Sequence, residues 1–153
     1  MACSRLPLTL IISLVLGCAT ASGTRGQPDA LGAASPGSDA ATLAQIYFWR
    51  AKPGKLDDYT RYIRERAEPI DAEARRAGAF ISVTTYQASD TLVPWTHMRV
   101  FLLRDSAQLR GLGAALTDAG VRIQPDSVKR RQQSEYSATL RDRIGAQVAT
   151  IVR

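Results

Sequence analysis

The chain has 153 residues, with 20 Lys and Arg against 14 Asp and Glu, one His and two Cys. At 45% hydrophobic and 22% charged it is neither a disordered chain nor a multispan membrane protein. Cys3 and Cys18 both precede residue 19 and histidine occurs once, which excludes a disulfide framework, a Cys-based zinc site and a His-rich metal centre in the rest of the chain.

Residues 1–17 read as an export signal. Arg5 supplies a short positive n-region, and Leu6 to Gly17 is an apolar stretch. As a helix that stretch rises only about 18 Å, well short of the ~30 Å hydrocarbon core, so it does not span a bilayer. The run ends on Val15-Leu16-Gly17-Cys18, which resembles the bacterial lipobox, where the cysteine thiol is lipidated and becomes the mature N-terminus. The rival reading is cleavage after Ala19-Thr20-Ala21, which would release a soluble secreted or periplasmic protein. Residues 18–42 then form the lipidated cysteine and its tether. Leu31 is the only large apolar side chain between residues 19 and 42, too little to offset the ordering entropy. The reach of such a tether is about 27 Å. The expected location is the cell envelope, held to the membrane by lipid.

Residues 43–153 hold every Trp, Tyr and Phe and therefore the core. Leu43 to Ala51 reads as a strand ending at the turn Lys52-Pro53-Gly54. A long helix follows, with Leu56, Tyr59, Ile63, Ala67, Ile70, Ala74 and Ala77 on one stripe and Gly78 as its stop. Pro69 should kink it, and Asp57–Arg61 and Asp71–Arg75 are spaced as solvated i,i+4 pairs. Phe80 to Gln87 and Trp95 to Arg104 read as strands. Asp105 to Gln108 looks like a capping box for a helix that ends at Gly120. Pro125-Asp126 opens another helix running to about Arg143, with Gly145 as its stop, and Gln147 to Val152 is a closing strand. The order β-α-β-β-α-(α)-β is the ferredoxin-like α+β pattern, an antiparallel sheet with helices on one face.

The opening strand followed by Ala51-Lys52-Pro53-Gly54-Lys55-Leu56-Asp57-Asp58-Tyr59 resembles the start of dimeric α+β barrel proteins. These include the stress-responsive barrel, NIPSNAP-like and antibiotic-biosynthesis-monooxygenase-like families. The resemblance implies a homodimer of face-to-face sheets, with a cavity between sheet and helices or at the dimer centre. If the protein is an enzyme, it also implies cofactor-independent oxygenase or isomerase chemistry. Haem-degrading members use an Asn and a helix-borne His. This sequence has no Asn and its His97 falls on a strand, so no cofactor is expected.

Strand alternation separates two faces. Ala44, Ile46, Phe48, Ile81, Val83, Met98, Val100 and Leu102 form an apolar set, expected under the helices. Gln45, Tyr47, Trp49, Ser82, Thr84, Tyr86, Trp95, His97, Arg99 and Phe101 form an amphipathic set, expected to be covered by a second copy. From that set, Tyr47, Trp49, Tyr86, Trp95 and Phe101 are the candidate ligand-binding residues, with His97 as proton carrier and Arg99 as anion holder. The alternative is a purely structural dimer interface, which favours the same residue types. No G-x-S-x-G is present, and Gly111-Leu112-Gly113 lacks the rest of a dinucleotide fingerprint. Glu65, Glu68, Asp71 and Glu73 alternate with arginines as a helix surface, not as a metal site. Lys129-Arg130-Arg131 and the net charge of +6 suit anionic lipid headgroups, and export argues against nucleic acid.

Lipidation of Cys18 has a direct test. Cys18→Ser is expected to release the protein from the membrane fraction or to leave an uncleaved precursor. A wild-type protein found only as a soluble species beginning after Ala21 would contradict the anchor.

Overall fold

The structure, a computed structural model, describes residues 40–152. The expected signal peptide, Cys18 and the expected tether up to residue 39 lie outside the described residues. Strand β1 (Leu43–Ala51) leads through a turn with Gly54 at φ +71° into α1 (Leu56–Tyr62), a π turn (Ile63–Ala67) and α2 (Glu68–Arg76). Then come β2 (Ser82–Gln87), β3 (His97–Leu103), α3 (Ser106–Ile123), α4 (Ser127–Leu140) and β4 (Arg141–Thr150). The sheet runs β2-β3-β1-β4, with every neighbouring pair antiparallel. That order, with two split β-α-β units, is the ferredoxin-like α+β fold.

Local chemistry accounts for the element ends. Asp105 caps α3 by accepting from the Ala107 and Gln108 amides, and Asp126 caps α4 by accepting from those of Val128 and Lys129. Pro69 has no N–H to donate, and the chain absorbs this just upstream. The Glu68 amide reaches back to the Ile63 carbonyl, widening one turn to π geometry, and α2 continues with Pro69 in its first turn. The expected kink is thus a π turn. Gly78 takes φ +78° beyond α2, as expected of a helix stop.

Several boundaries differ from expectation. Strands β2 and β3 begin at Ser82 and His97, each two residues late, so Trp95 precedes its strand. Helix α3 continues past Gly120 to Ile123. Helix α4 stops at Leu140, and the last strand starts at Arg141, passing through Gly145 where a helix stop was expected. Long-range pairing decides this: β4 pairs along all of β1, from Leu43↔Thr150 to Ala51↔Arg141, and those ladder bonds outweigh local helix propensity. Gly145 sits opposite Phe48, where the register shifts at a bulge.

The larger correction concerns the sheet faces. Phe101 and Leu103 are buried with Ala74, Phe80, Leu112 and Ala119, and Tyr47 and Val83 pack against that cluster. A second cluster joins Ala51, Tyr59, Ile63 and Leu140, with Trp49 against it. The amphipathic set of β1 and β3 therefore lies under the helices, and Ala44, Ile46, Phe48, Met98, Val100 and Leu102 form the other face. Strand β2 keeps its expected sides, with Val83 under the helices, so it is out of the expected phase with β1 and β3. Ser82, Thr84 and Tyr86 oppose Leu102, Val100 and Met98 on the open side, whereas Val83 opposes Phe101. Among the described residues no helix packs on the open face, where Ile46, Phe48, Met98, Val100 and Leu102 are half-buried.

Phe101 stands edge-on to both Tyr47 and Phe80, with ring centroids 5.9 and 5.1 Å away. Phe101→Ala is expected to cost about 3–5 kcal/mol in a denaturant titration. A loss below about 1 kcal/mol would place the ring on the open side instead.

Candidate functional site

The polar heads of the helix-facing side are each satisfied from within the chain. His97 is 1% exposed, with Nε2 3.1 Å from Thr60 Oγ1 and Nδ1 3.1 Å from Thr96 Oγ1. The Tyr59 ring meets the imidazole edge-on at 4.7 Å. Thr60 comes from α1 and also donates to the Leu56 carbonyl, while the Ala51 amide donates to Thr96, so both hydroxyls are positioned by backbone. Burial without a carboxylate partner lowers the His97 pKa to about 4. The imidazole is consequently a neutral group held between two threonines. Burial likewise raises the pKa of Tyr59, against the opposing charges of Arg141 and Arg99.

Arg99 donates from Nη2 to Asp71 Oδ2 and from Nε to Thr85 Oγ1 at 3.3 Å, and its guanidinium lies 5.3 Å from the Phe101 ring centroid. Asp71 is 5% exposed, so this is a buried ion pair between α2 and β3 and not the solvated Asp71–Arg75 pair expected from spacing. Burial raises the Asp71 pKa, with Arg99 holding it down. On α1, Arg61 pairs with Asp58 in place of Asp57. Two small hollows flank these groups. One of about 200 Å³ is bounded by Glu68, Asp71, Arg75 and Arg99, and one of about 260 Å³ by Thr60, Arg64, Gln87 and His97.

A larger cleft opens on the same side of the sheet, toward β4. About 590 Å³ in volume, it is floored by Trp49, Ile70, Leu116 and Val121 and rimmed by Thr117, Gln133, Ser134 and Ser137. Among the described residues two cations line it, Arg130 and Arg141, and no Asp or Glu does. The Arg141 guanidinium lies 3.5 Å from the Trp49 ring centroid, and its Nε donates to Ser137 Oγ at 3.0 Å. Next along β4, Arg143 lies 4.9 Å from the Tyr47 ring centroid and 5.9 Å from that of Trp49. Arg141 is fixed because α4 passes into β4 without a loop, and the Lys52 amide donates to Leu140 O at 2.9 Å.

The expected site residues thus fall in three places. Trp49 lines the large cleft, with Tyr47 one strand position further in and touched by Arg143. His97, Arg99 and Phe101 sit deeper under α1 and α2. Tyr86 is on the open side and 48% exposed, and Trp95 packs at 6.2 Å on Phe48 of that side. Spacing alone misses Arg141 and Asp71. Asp71 carries a signal, since it stands four residues after Ala67 and three before Ala74, on the buried stripe itself. Among the described residues no cluster of His, Cys, Asp and Glu is placed to hold a metal ion. No described helix is long and apolar enough to cross a membrane.

No protein-family profile matches the chain, and no curated protein matches it in sequence. Among solved structures it is similar to HapK from Hahella chejuensis, at 11% identity with a TM-score of 0.49, over 72% of this chain and 92% of that one. It is also similar to PA3566 from Pseudomonas aeruginosa, at 18% identity with a TM-score of 0.45, over 74% of this chain and 95% of that one.

The buried imidazole makes stability depend on pH. Unfolded chains bind a proton at this histidine near pH 6.5, whereas the native state binds it only near pH 4. Acid therefore favours unfolding between those values, and the contribution of His97 falls by roughly 3 kcal/mol as pH drops through that window. His97→Gln keeps an amide within reach of Thr60 and is expected to flatten the slope in urea titrations at pH 7, 6, 5 and 4. An unchanged slope would assign the acid sensitivity to other groups.

Proposed function

We propose that this is an exported, lipid-anchored protein whose domain forms a homodimeric α+β barrel and binds a small organic molecule. The observation that carries the binding reading is the 590 Å³ cleft beside Trp49, which combines an aromatic and aliphatic floor with a few convergent polar groups. Its size and its mix of surfaces are those of small-molecule sites, and it lies between sheet and helices, where the resemblance to the barrel families places a cavity. Binding is favoured over chemistry by the state of the two expected catalytic groups. His97 is enclosed and neutral, and Arg99 is already neutralised by Asp71. The rival reading, an envelope protein with a purely structural dimer, leaves this cleft without a role.

The dimer reading is supported by the open face. Ile46, Phe48, Met98 and Val100 are apolar neighbours across β1 and β3 with no described helix over them. Such a continuous apolar sheet face is costly in water. A second copy with its own open face would cover it symmetrically.

Native mass spectrometry of the protein purified from its own host reads both claims together. The expected spectrum is a dimer carrying a bound organic mass. Val100→Lys should shift the mass to monomer or cause aggregation, because it forces a charge into the contact. A wild-type monomer would overturn the dimer, and a dimer free of any added mass at every collision energy would favour the structural reading.

A further inference from the structure

We infer that the cleft beside Trp49 selects an organic anion, an apolar body with one negatively charged head, and that Arg141 is the residue that recognises the charge. This rests on the binding reading above and names its ligand class. The arginines on the helix side of the sheet differ in what stands beside them. Arg99 has the Asp71 carboxylate, and Arg122 at the end of α3 has Glu73. Arg130 donates through Nη1 to the carbonyls of Gln124 and Pro125, in the link between α3 and α4, at 2.8 and 2.6 Å. Arg141 has the Ser137 hydroxyl, the Trp49 face and Tyr59 beside it but, among the described residues, no carboxylate within ion-pair distance.

A half-buried guanidinium held over tryptophan gains from the ring quadrupole, yet its charge remains uncompensated. Among the described residues the cleft it faces carries a second cation and no acid, so its lining is net positive. The head of a bound anion would therefore lie at Arg141, near the Ser137 hydroxyl. The ring or chain behind it would lie on Trp49, Ile70 and Leu116. The other large cleft, between α1 and α4, lacks this asymmetry: Asp58 and Glu65 stand beside its basic residues.

Trp49 is also the natural reporter, because Trp95 is the only other tryptophan and packs on the open side. In the full-length protein carrying Trp95→Phe, three probes are titrated against Trp49 fluorescence: 1-naphthoate, neutral 1-naphthalenemethanol and inorganic phosphate. The expected order is naphthoate tightest, naphthalenemethanol about tenfold weaker, and phosphate without a saturable response. Arg141→Gln should weaken naphthoate about tenfold and leave naphthalenemethanol unchanged, which also shows that the cleft is intact. Arg141→Lys should retain the preference for the anion. Equal affinity for naphthoate and naphthalenemethanol, or an unchanged preference in Arg141→Gln, would overturn the anion claim while leaving a binding cleft. If no probe binds, the binding reading itself falls, and the anion claim with it.

Discussion

Arg99 can be buried only because Asp71 meets it. A guanidinium and a carboxylate taken out of water each cost several kcal/mol, recovered only when they face each other with further hydrogen bonds. Here the acid is on α2, the base on β3, and Thr85 of β2 takes the remaining Nε donor. Three elements are pinned to one another through one guanidinium. The same rule governs Gln45, whose amide donates to Gln147 O on β4, and His97, set between Thr60 and Thr96. Each polar head on this side of the sheet needs a fixed partner, and the neighbouring elements supply it. The requirement decides which face of the sheet is covered.

The open face follows from that choice. Polar groups without partners are expensive when buried, so the side that carries them must be the one closed by elements of the same chain. The other side, apolar along β1 and β3 with Ser82, Thr84 and Tyr86 of β2 and Gln147 of β4 beside them, can be closed by a flat surface of matching character. Specific contacts are thus used within the chain, and non-directional ones are left for an external surface. On β1 and β3 the open face has no buried polar head to fix a register, whereas the helix-facing side has His97, Arg99 and Gln45.

Much of this is legible in the sequence, and the failures share one cause. The strand β1, the π-distorted helix, the caps at Asp105 and Asp126 and the glycine at 78 all follow from neighbours in the chain. Alternation correctly sorts the residues of β1 and β3 into two sets, because a period of two needs only local information. It cannot say which set lies under the helices. The more apolar set looks like the core, and the deciding partners, Asp71 and Thr60, stand 28 and 37 residues away. Strand β2 fails for the same reason: its phase relative to β3 is set by the pairing Val83↔Phe101, which a long intervening loop hides. The early start of β4 is hidden too, since a helix-like run is overruled by pairing with a strand some hundred residues earlier. That misreading conceals Arg141, the first residue of the strand.

The placement of Arg141 ties the fold to the cleft. Because α4 ends where β4 begins, the helix terminus and the strand edge are one rigid corner, and the side chain at that corner has few directions open to it. It lies on Trp49, which is itself held in the register Trp49↔Arg143 on one side and Trp49↔His97 on the other. The cation and the ring are therefore positioned by the sheet, not by a mobile loop. Moving Arg141 would require breaking the pairing at the end of β1, where the Lys52 amide and ammonium also bond to the last turn of α4. A ligand entering this cleft meets a charge and an aromatic surface that are already in place. The ordering cost has been met in folding, which is the condition under which a small site can discriminate between an anion and its neutral analogue.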